Sequence, residues 1–159
     1  MTIREARTDS PEAHRLLTDY FTWRAIEFPP AQGAYTVVYP DPSAFQEPDG
    51  VFLLAGDDRP VGCGGIRRIS PDEHGRVRFE VKHLWLAPES RGQGVAGALM
   101  TELESRARQF GADVMVLDTH HTLTDAGRLY SKRGYVRVDP YNDNPNATVW
   151  YAKQLAAAG

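Results

Sequence analysis

A chain of 159 residues, 42% hydrophobic and 25% charged, has room for one well-packed core and not for two. Its formal net charge of −3 and pI near 5.9 argue against nucleic acid as a partner and suit neutral or cationic small molecules. A single cysteine excludes an internal disulfide and a multi-cysteine metal site, and a charged N-terminus without any apolar run of ~20 residues predicts a soluble, cytoplasmic protein with no membrane partner.

Residues 2–7 alternate as a short strand, and Ser10-Pro11 supplies an N-cap followed by proline at the first helical position. The helix that follows carries Leu16, Leu17, Tyr20, Phe21 and Arg24 along one stripe. From 28 to 50, Pro29, Pro30, Pro40, Pro42 and Pro48 with Gly33 and Gly50 break any long element, which predicts a loop or short-helix region of the kind that shapes a binding site. Val51–Ala55 and Val61–Ile69, joined by Gly56-Asp-Asp-Arg-Pro60, read as a hairpin whose second strand is weakened or bulged by Gly62, Gly64 and Gly65. The polar turn Ser70–Gly75 leads to a third antiparallel strand, Phe79–Leu86.

After Gly92-Gln-Gly-Val-Ala-Gly97, the residues Val95, Leu99, Leu103, Ala107 and Phe110 repeat at helical period up to Gly111, with Glu102/Arg106 and Glu104/Arg108 as outward i,i+4 pairs. Asp113–Asp118 is a mostly apolar run, so strand, helix and strand form one parallel crossover. Thr124 caps a further helix with Ala126, Leu129 and Tyr130 on one face and Gly134 at its end. Tyr135–Val138 and Thr148–Lys153 make two last strands around the turn-rich Asp139–Pro145, and the small residues from Ala156 to Gly159 are expected to fray.

The glycine stretch opening a helix is an anion cradle, suited to phosphate or pyrophosphate. Gly92, Gly94 and Gly97 satisfy G-x-G-x-x-G, with Asp118 at the end of the next strand as a dinucleotide site would have it. Three features oppose that frame. Glu80, Lys82 and His83 are polar where a central parallel strand is apolar; Pro88–Arg91 lengthen a turn that should be tight; and the 41 residues after Asp118 cannot complete a doubly wound sheet.

Arg91-Gly-Gln-Gly-Val-Ala96 resembles the (Q/R)-x-x-G-x-(G/A) acyl-CoA loop of the GNAT acetyltransferase superfamily, and Ala126-Gly-Arg-Leu-Tyr-Ser-Lys-Arg-Gly-Tyr135 resembles its later A-x-x-L-Y-x-x-x-G-(F/Y) helix. Glu80-Val-Lys-His-Leu-Trp-Leu86 resembles the strand before that loop, and the order of elements is the GNAT order. The resemblance implies an α/β (α+β) fold in one domain over 1–159: a mixed, mostly antiparallel sheet of about six or seven strands with about four helices and one parallel crossover at the CoA loop. It also implies acetyl-CoA as co-substrate, no metal, and a primary amine of a small molecule or a protein as acceptor. A homodimer is compatible with it.

Acyl transfer to an amine with a pKa near ~10 needs a base, departure of a thiol with a pKa near ~8.5 is helped by an acid, and the charge that develops on the thioester oxygen wants N–H donors. By the resemblance Glu80 is the base, with Asp118 as rival, and Tyr130 is the acid that meets the CoA sulfur. Glu80 otherwise pairs with Lys82 or Arg78, Asp118 otherwise serves the turn at Thr119, and Tyr130 otherwise packs in the core. Strand alternation puts Glu80, Lys82, Leu84 and Leu86 on one face. The backbone of Leu84, Trp85 and Leu86 is expected to pair with pantetheine, and the amides of Gly92, Gln93, Gly94, Val95, Ala96 and Gly97 to hold pyrophosphate with Arg91 as a flanking charge. The family often has Asn where this chain has Leu123, so Thr122, Thr124 or a water would take its part.

His120 and His121 are adjacent and lack a third ligand, which reads as solvated or capping histidines, and Cys63 among glycines reads as a small buried residue. By family position the acceptor is walled by Tyr20, Trp23, Arg24, Glu27, the 28–50 loop, Arg67 or Arg68, Trp85, Tyr141 and Asn142. That mix suits a small amine carrying a carboxylate, with a protein N-terminus or lysine also open. The alternative function is a non-catalytic acyl-CoA-binding sensor of the same fold.

Overall fold

The computed structural model describes residues 1–156, so the expected frayed end lies, from residue 157 on, outside the described residues. Seven strands form one sheet: β1 (Ile3–Glu5), β2 (Gly50–Ala55), β3 (Gly62–Ile69), β4 (Arg78–Leu86), β5 (Val114–Thr119), β6 (Val136–Val138) and β7 (Val149–Gln154), in the order β1-β2-β3-β4-β5-β7-β6. Only β4 and β5 are parallel neighbours, joined through the crossover helix α2 (Val95–Gln109). α1 (Pro11–Glu27) packs on one face against Phe52, Leu54, Cys63 and Trp85, while α2 and α3 (Thr124–Lys132) cover the other over Ile66, Phe79, Val81 and Met115.

Local signals explain most boundaries. The Ser10 hydroxyl accepts from the Ala13 N–H with Pro11 opening α1. Gly111 and Gly134 follow α2 and α3 with φ of 90° and 92°. Among the described residues three α-helices are present where about four were expected, because the proline-rich 28–50 region forms only single 3-10 turns at Pro30–Gln32 and Pro42–Phe45. Thr124 is the first residue of α3 rather than its cap; Leu123 holds the cap position and makes no side-chain capping bond.

Glu104 departs from its expected place outside. It is 3% exposed and takes Arg133, Lys153 and the Tyr135 hydroxyl as partners, not Arg108, since those groups converge on it from α3, β7 and the start of β6. Among the described residues no helix is long and apolar enough to cross a membrane.

Two irregularities of β4 position the site. Lys82 pairs with Gly65 and Trp85 with Cys63, so His83 and Leu84 face the single residue Gly64, and His83 sits at φ 59°. This β-bulge inserts one residue and shifts the alternation that follows. Glu80, Lys82 and Trp85 therefore share the α1 face, while Leu84 and Leu86 turn to the α2 side, where they crowd Gly64 and Gly62. The expectation of Glu80, Lys82, Leu84 and Leu86 on one face is corrected by that extra residue.

The second irregularity is a splay. β4 and β5 pair only from Arg78↔Val114 to Glu80↔Val116, and beyond that point β5 keeps β7 as its one strand partner through Thr119↔Val149. The edge of β4 from Val81 to Leu86 is left open toward β5.

Burial of the His83 imidazole beside Tyr20, Phe21 and Phe45 pushes its pKa down to about 3, with the charges of Lys82 and Arg67 adding to the effect and Asp118 opposing it. The unfolded chain then takes up the proton first, near its ordinary ~6.5. Stability is complete above about pH 6.5 and declines as the pH falls toward 3. Urea midpoints measured from pH 7.5 to 4.5 are expected to fall more steeply for wild type than for His83→Asn, which tolerates the positive φ. Parallel profiles would contradict this.

Candidate active site

A 3-10 turn at Pro88–Ser90 joins the open edge of β4 to the glycine loop. Gly92 and Gly94 adopt φ of 77° and 81°, which side chains rarely tolerate, and the Ala98 N–H donates to the Gly94 carbonyl at 3.0 Å. The N–H groups of Val95, Ala96 and Gly97 precede that bond and have no partner within the helix. No atom lies within 4 Å of where a Cβ would stand on Gly92, Gly94 or Gly97, so the cradle is free for a close ligand. These residues fit a diphosphate, as the donor set and the helix N-terminus require.

Arg91 is placed differently from a simple phosphate flank. Its guanidinium donates to the Leu86 carbonyl (3.2 and 3.3 Å) and stacks near Trp85 (4.8 Å) and Trp23 (5.2 Å). Trp85 presents its side chain to this cluster and to Tyr20, on the α1 face, with its indole N–H buried and unpartnered. Gln93 bonds the Glu89 carbonyl, and Thr124 is exposed at the start of α3.

At the bottom of the splay lie two carboxylates. Glu80, 1% exposed, takes the Arg67 guanidinium on Oε1 (3.0 and 2.9 Å) and the Tyr141 hydroxyl on Oε2 (2.6 Å), with Lys82 Nζ 3.7 Å away. Arg67 stands directly across from it on β3, and Arg78 instead donates to the Ser70 carbonyl. Asp118, on β5, pairs with Lys82 at 3.2 Å and accepts from the Asn142 amide at 2.8 Å, and the same amide reaches Glu80 at 3.4 Å. Lys82 and Asn142 thus couple the carboxylates across the gap between the strands. A cavity of about 180 Å³ lined by Arg67, Arg78, Glu80, Tyr141 and Asn142 opens beside them.

Asn142 owes its position to features the sequence reading did not single out. The Trp150 indole donates to its Oδ1 (2.9 Å), as does the Asn144 N–H (3.2 Å), and Asn144 caps the Asn146 N–H in turn (3.0 Å). The signal for it was Asn142-Asp-Asn144-Pro-Asn146, in which Asn142 and Asn144 each close an Asx turn.

Tyr130 is 6% exposed in α3, ringed by Tyr135 and Tyr151. Burial raises the pKa of its phenol, and the charge of Asp118 raises it further, so the proton stays on at neutral pH. The Tyr141 phenol is raised by burial and then by Glu80 and Asp118. His120 corrects the expectation of solvated histidines: it is fully buried, held between Gln32 Oε1 (2.5 Å) and Thr122 Oγ1 (2.7 Å), while His121 is exposed on Thr148. Among the described residues no three His, Cys, Asp or Glu side chains cluster as metal ligands. Cys63 is buried, and burial pushes its thiol up.

The sequence profile of the acetyltransferase (GNAT) family matches residues 11–135. An uncharacterized N-acetyltransferase of Schizosaccharomyces pombe is 34% identical over 108 residues, covering 67% of this chain and 64% of that protein. The first curated relatives are matched over less than two thirds of their own lengths. The crystal structure of a putative acyl-CoA N-acyltransferase from Klebsiella pneumoniae superposes with a TM-score of 0.73 at 25% identity, covering 98% of this chain and 97% of the other. An aminoglycoside 6'-N-acetyltransferase complexed with coenzyme A shares the fold at a TM-score of 0.67 and 18% identity, over 100% of this chain and 99% of that one. With the parallel β4–β5 pair, the splay beyond it and the glycine loop in place, this chain belongs to the GNAT acetyltransferase family.

Proposed function

We propose that this protein is an acyl-CoA-dependent N-acetyltransferase that moves an acetyl group directly from acetyl-CoA to a primary amine of a small molecule or a protein. The observation that carries the reading is the open edge of β4, followed after a 3-10 turn at Pro88–Ser90 by the glycine loop and the N–H groups of Val95, Ala96 and Gly97, which have no partner within the helix. The backbone of Leu84, Trp85 and Leu86 would hold the pantetheine amides, and the residues from Gly92 to Gly97 the diphosphate. A solved neighbour of the same fold is complexed with coenzyme A, which supports coenzyme A as the group bound. Acetyl-CoA supplies, when bound, a thioester and a thiol able to leave near neutral pH.

Glu80 serves as the base. At 1% exposure it receives the amine proton through an intermediary, and the half-buried Tyr141 hydroxyl, 2.6 Å from Oε2, is suited to that relay. Asp118 is the second carboxylate of the pair and shares Lys82 and Asn142 with Glu80. Tyr130 gives its proton on the thiol side, which its buried, protonated phenol allows. Over the reaction the amine exchanges one N–H bond for an N–C bond, its proton passes to the Glu80 side and on to solvent, the thioester C–S bond breaks, and the sulfur leaves as thiol with the Tyr130 proton, which solvent then replaces.

The test combines thermal shift with a CoA-release assay over an amine panel. Acetyl-CoA at a hundredfold excess over Kd is expected to add about 2.7 kcal/mol of stability, roughly 5–10 °C in Tm for a chain of this size, with no response to NAD(P). Stabilisation by NAD(P) alone would defeat the reading. Binding of acetyl-CoA without CoA release from any amine would leave the sensor in its place.

A further inference from the structure

Arg24 is 4% exposed, and among the described residues it makes no ion pair. Its Nη2 donates to the Asn146 carbonyl at 3.2 Å, its guanidinium lies over the Tyr35 ring at 4.9 Å, and its Nε is buried without any partner. A guanidinium is a permanent cation with five donors in a fixed fork, and a buried one is ordinarily matched by an oxyanion. The neighbours of Arg24, the Asn146 carbonyl, the Tyr35 ring and the Tyr20 and Tyr35 phenols, are all neutral, so its charge is unmatched.

Among the described residues no carboxylate pairs with Arg24. Glu80 is taken by Arg67 and Tyr141, Asp118 by Lys82 and Asn142, and Glu27, one turn further along α1, is exposed and unpaired. Arg24 nevertheless belongs to the wall that carries those carboxylates. α1 covers the face of β4 that bears Glu80 and Lys82, and Asn146 is linked to Asn142, which bonds both carboxylates, through two successive Asx turns. The field of Arg24 reaches His120, two residues beyond Asp118, where after burial and His121 it disfavours the protonated ring. Tyr35 and Tyr20 beside it keep their phenolic protons through burial, with Arg24 opposing, and so add neutral donors and no anion.

We propose that Arg24 is the receptor for an oxyanion on the acceptor: the amine this protein acetylates is a small molecule bearing a carboxylate or phosphonate, which pairs with the Arg24 guanidinium while its nitrogen faces the Glu80–Asp118 pair. The inference rests on the acetyltransferase reading and narrows it, away from the side-chain amines of folded proteins. The other anion in the reaction is the diphosphate of the co-substrate, but its cradle is the glycine loop of α2, where Arg91 stands.

The experiment uses matched acceptors, amino acids against their amides and aminoalkylphosphonates against the corresponding alkylamines, with wild type, Arg24→Met and Arg24→Lys. Wild type is expected to favour the anionic member by 10- to 100-fold in kcat/KM, the larger preference telling carboxylate from phosphonate. Arg24→Met should abolish the preference with acetyl-CoA affinity within twofold, and Arg24→Lys should restore part of it. Three results would overturn the proposal: amides acetylated as fast as acids by wild type, a preference that survives Arg24→Met, or a tenfold loss of acetyl-CoA affinity in that variant, which would assign Arg24 to the co-substrate. If Arg24→Met does not fold, wild type with CoA is decisive: a rise in Tm with the amino acid and none with its amide is expected, and equal rises overturn the assignment. Failure of every amine to release CoA would instead remove the acetyltransferase reading, and the same thermal comparison would then decide the oxyanion site alone.

Discussion

Glu80→Gln is expected to lower kcat by about 10²- to 10⁴-fold, the usual worth of a general base, while acetyl-CoA affinity changes little. The substitution is nearly isosteric, so the loss reports proton transfer more than shape. It is not free structurally. Arg67 and Tyr141 both donate to this buried side chain, and an amide offers one acceptor oxygen where the carboxylate offered two. Leaving one donor short costs roughly 1–3 kcal/mol of stability, which urea unfolding will register separately from activity.

The discriminating measurement is the pH–rate profile. A wild-type rate that falls on the acidic side, with that limb absent from the residual activity of Glu80→Gln, assigns the base to Glu80. A limb that persists in Glu80→Gln and vanishes in Asp118→Asn assigns it to Asp118. Lys82 and Asn142 bond or approach both carboxylates, so the single variants will not be additive, and the double variant is needed before either effect is apportioned.

What the sequence made legible follows the range of the forces involved. Strands and helices were readable because their signals are local: Ser10-Pro11 for α1, Gly111 after α2, the period of Leu99, Leu103 and Ala107. The crossover and the glycine loop that opens α2 followed from the order of elements and glycine spacing. Partner choice across the sheet was not readable. Glu80 was offered Lys82 or Arg78 from its own strand; Lys82 does stand 3.7 Å away, but the nearer cation is Arg67, placed opposite by a register that only the folded β3–β4 pair defines. The bulge at His83 was equally hidden, since the extra residue exists only relative to Gly64 on the neighbouring strand. Glu104 fitted an i,i+4 pair in one dimension and became a buried three-way anchor in three. Arg24 sat in an apolar stripe, a pattern that a sequence reads as one interruption and the fold turns into a buried cation.

Tyr130→Phe is expected to lower kcat by about 10²-fold, at the low end for a general acid, because a thiol with a pKa near ~8.5 is already a tolerable leaving group. Acetyl-CoA affinity should stay within a few-fold, since the ring is what packs against Tyr135 and Tyr151 and the ring remains. The stability change should be small for the same reason: the hydroxyl makes no hydrogen bond among the described residues, so its removal orphans no partner. A structural role and an acid role therefore predict different things. If Tyr130 only packs, turnover is unchanged, because phenylalanine fills the same space. If it is the acid, the rate falls without a matching rise in KM, and the deficit shrinks for acyl donors whose thiol is more acidic, since those need the proton least.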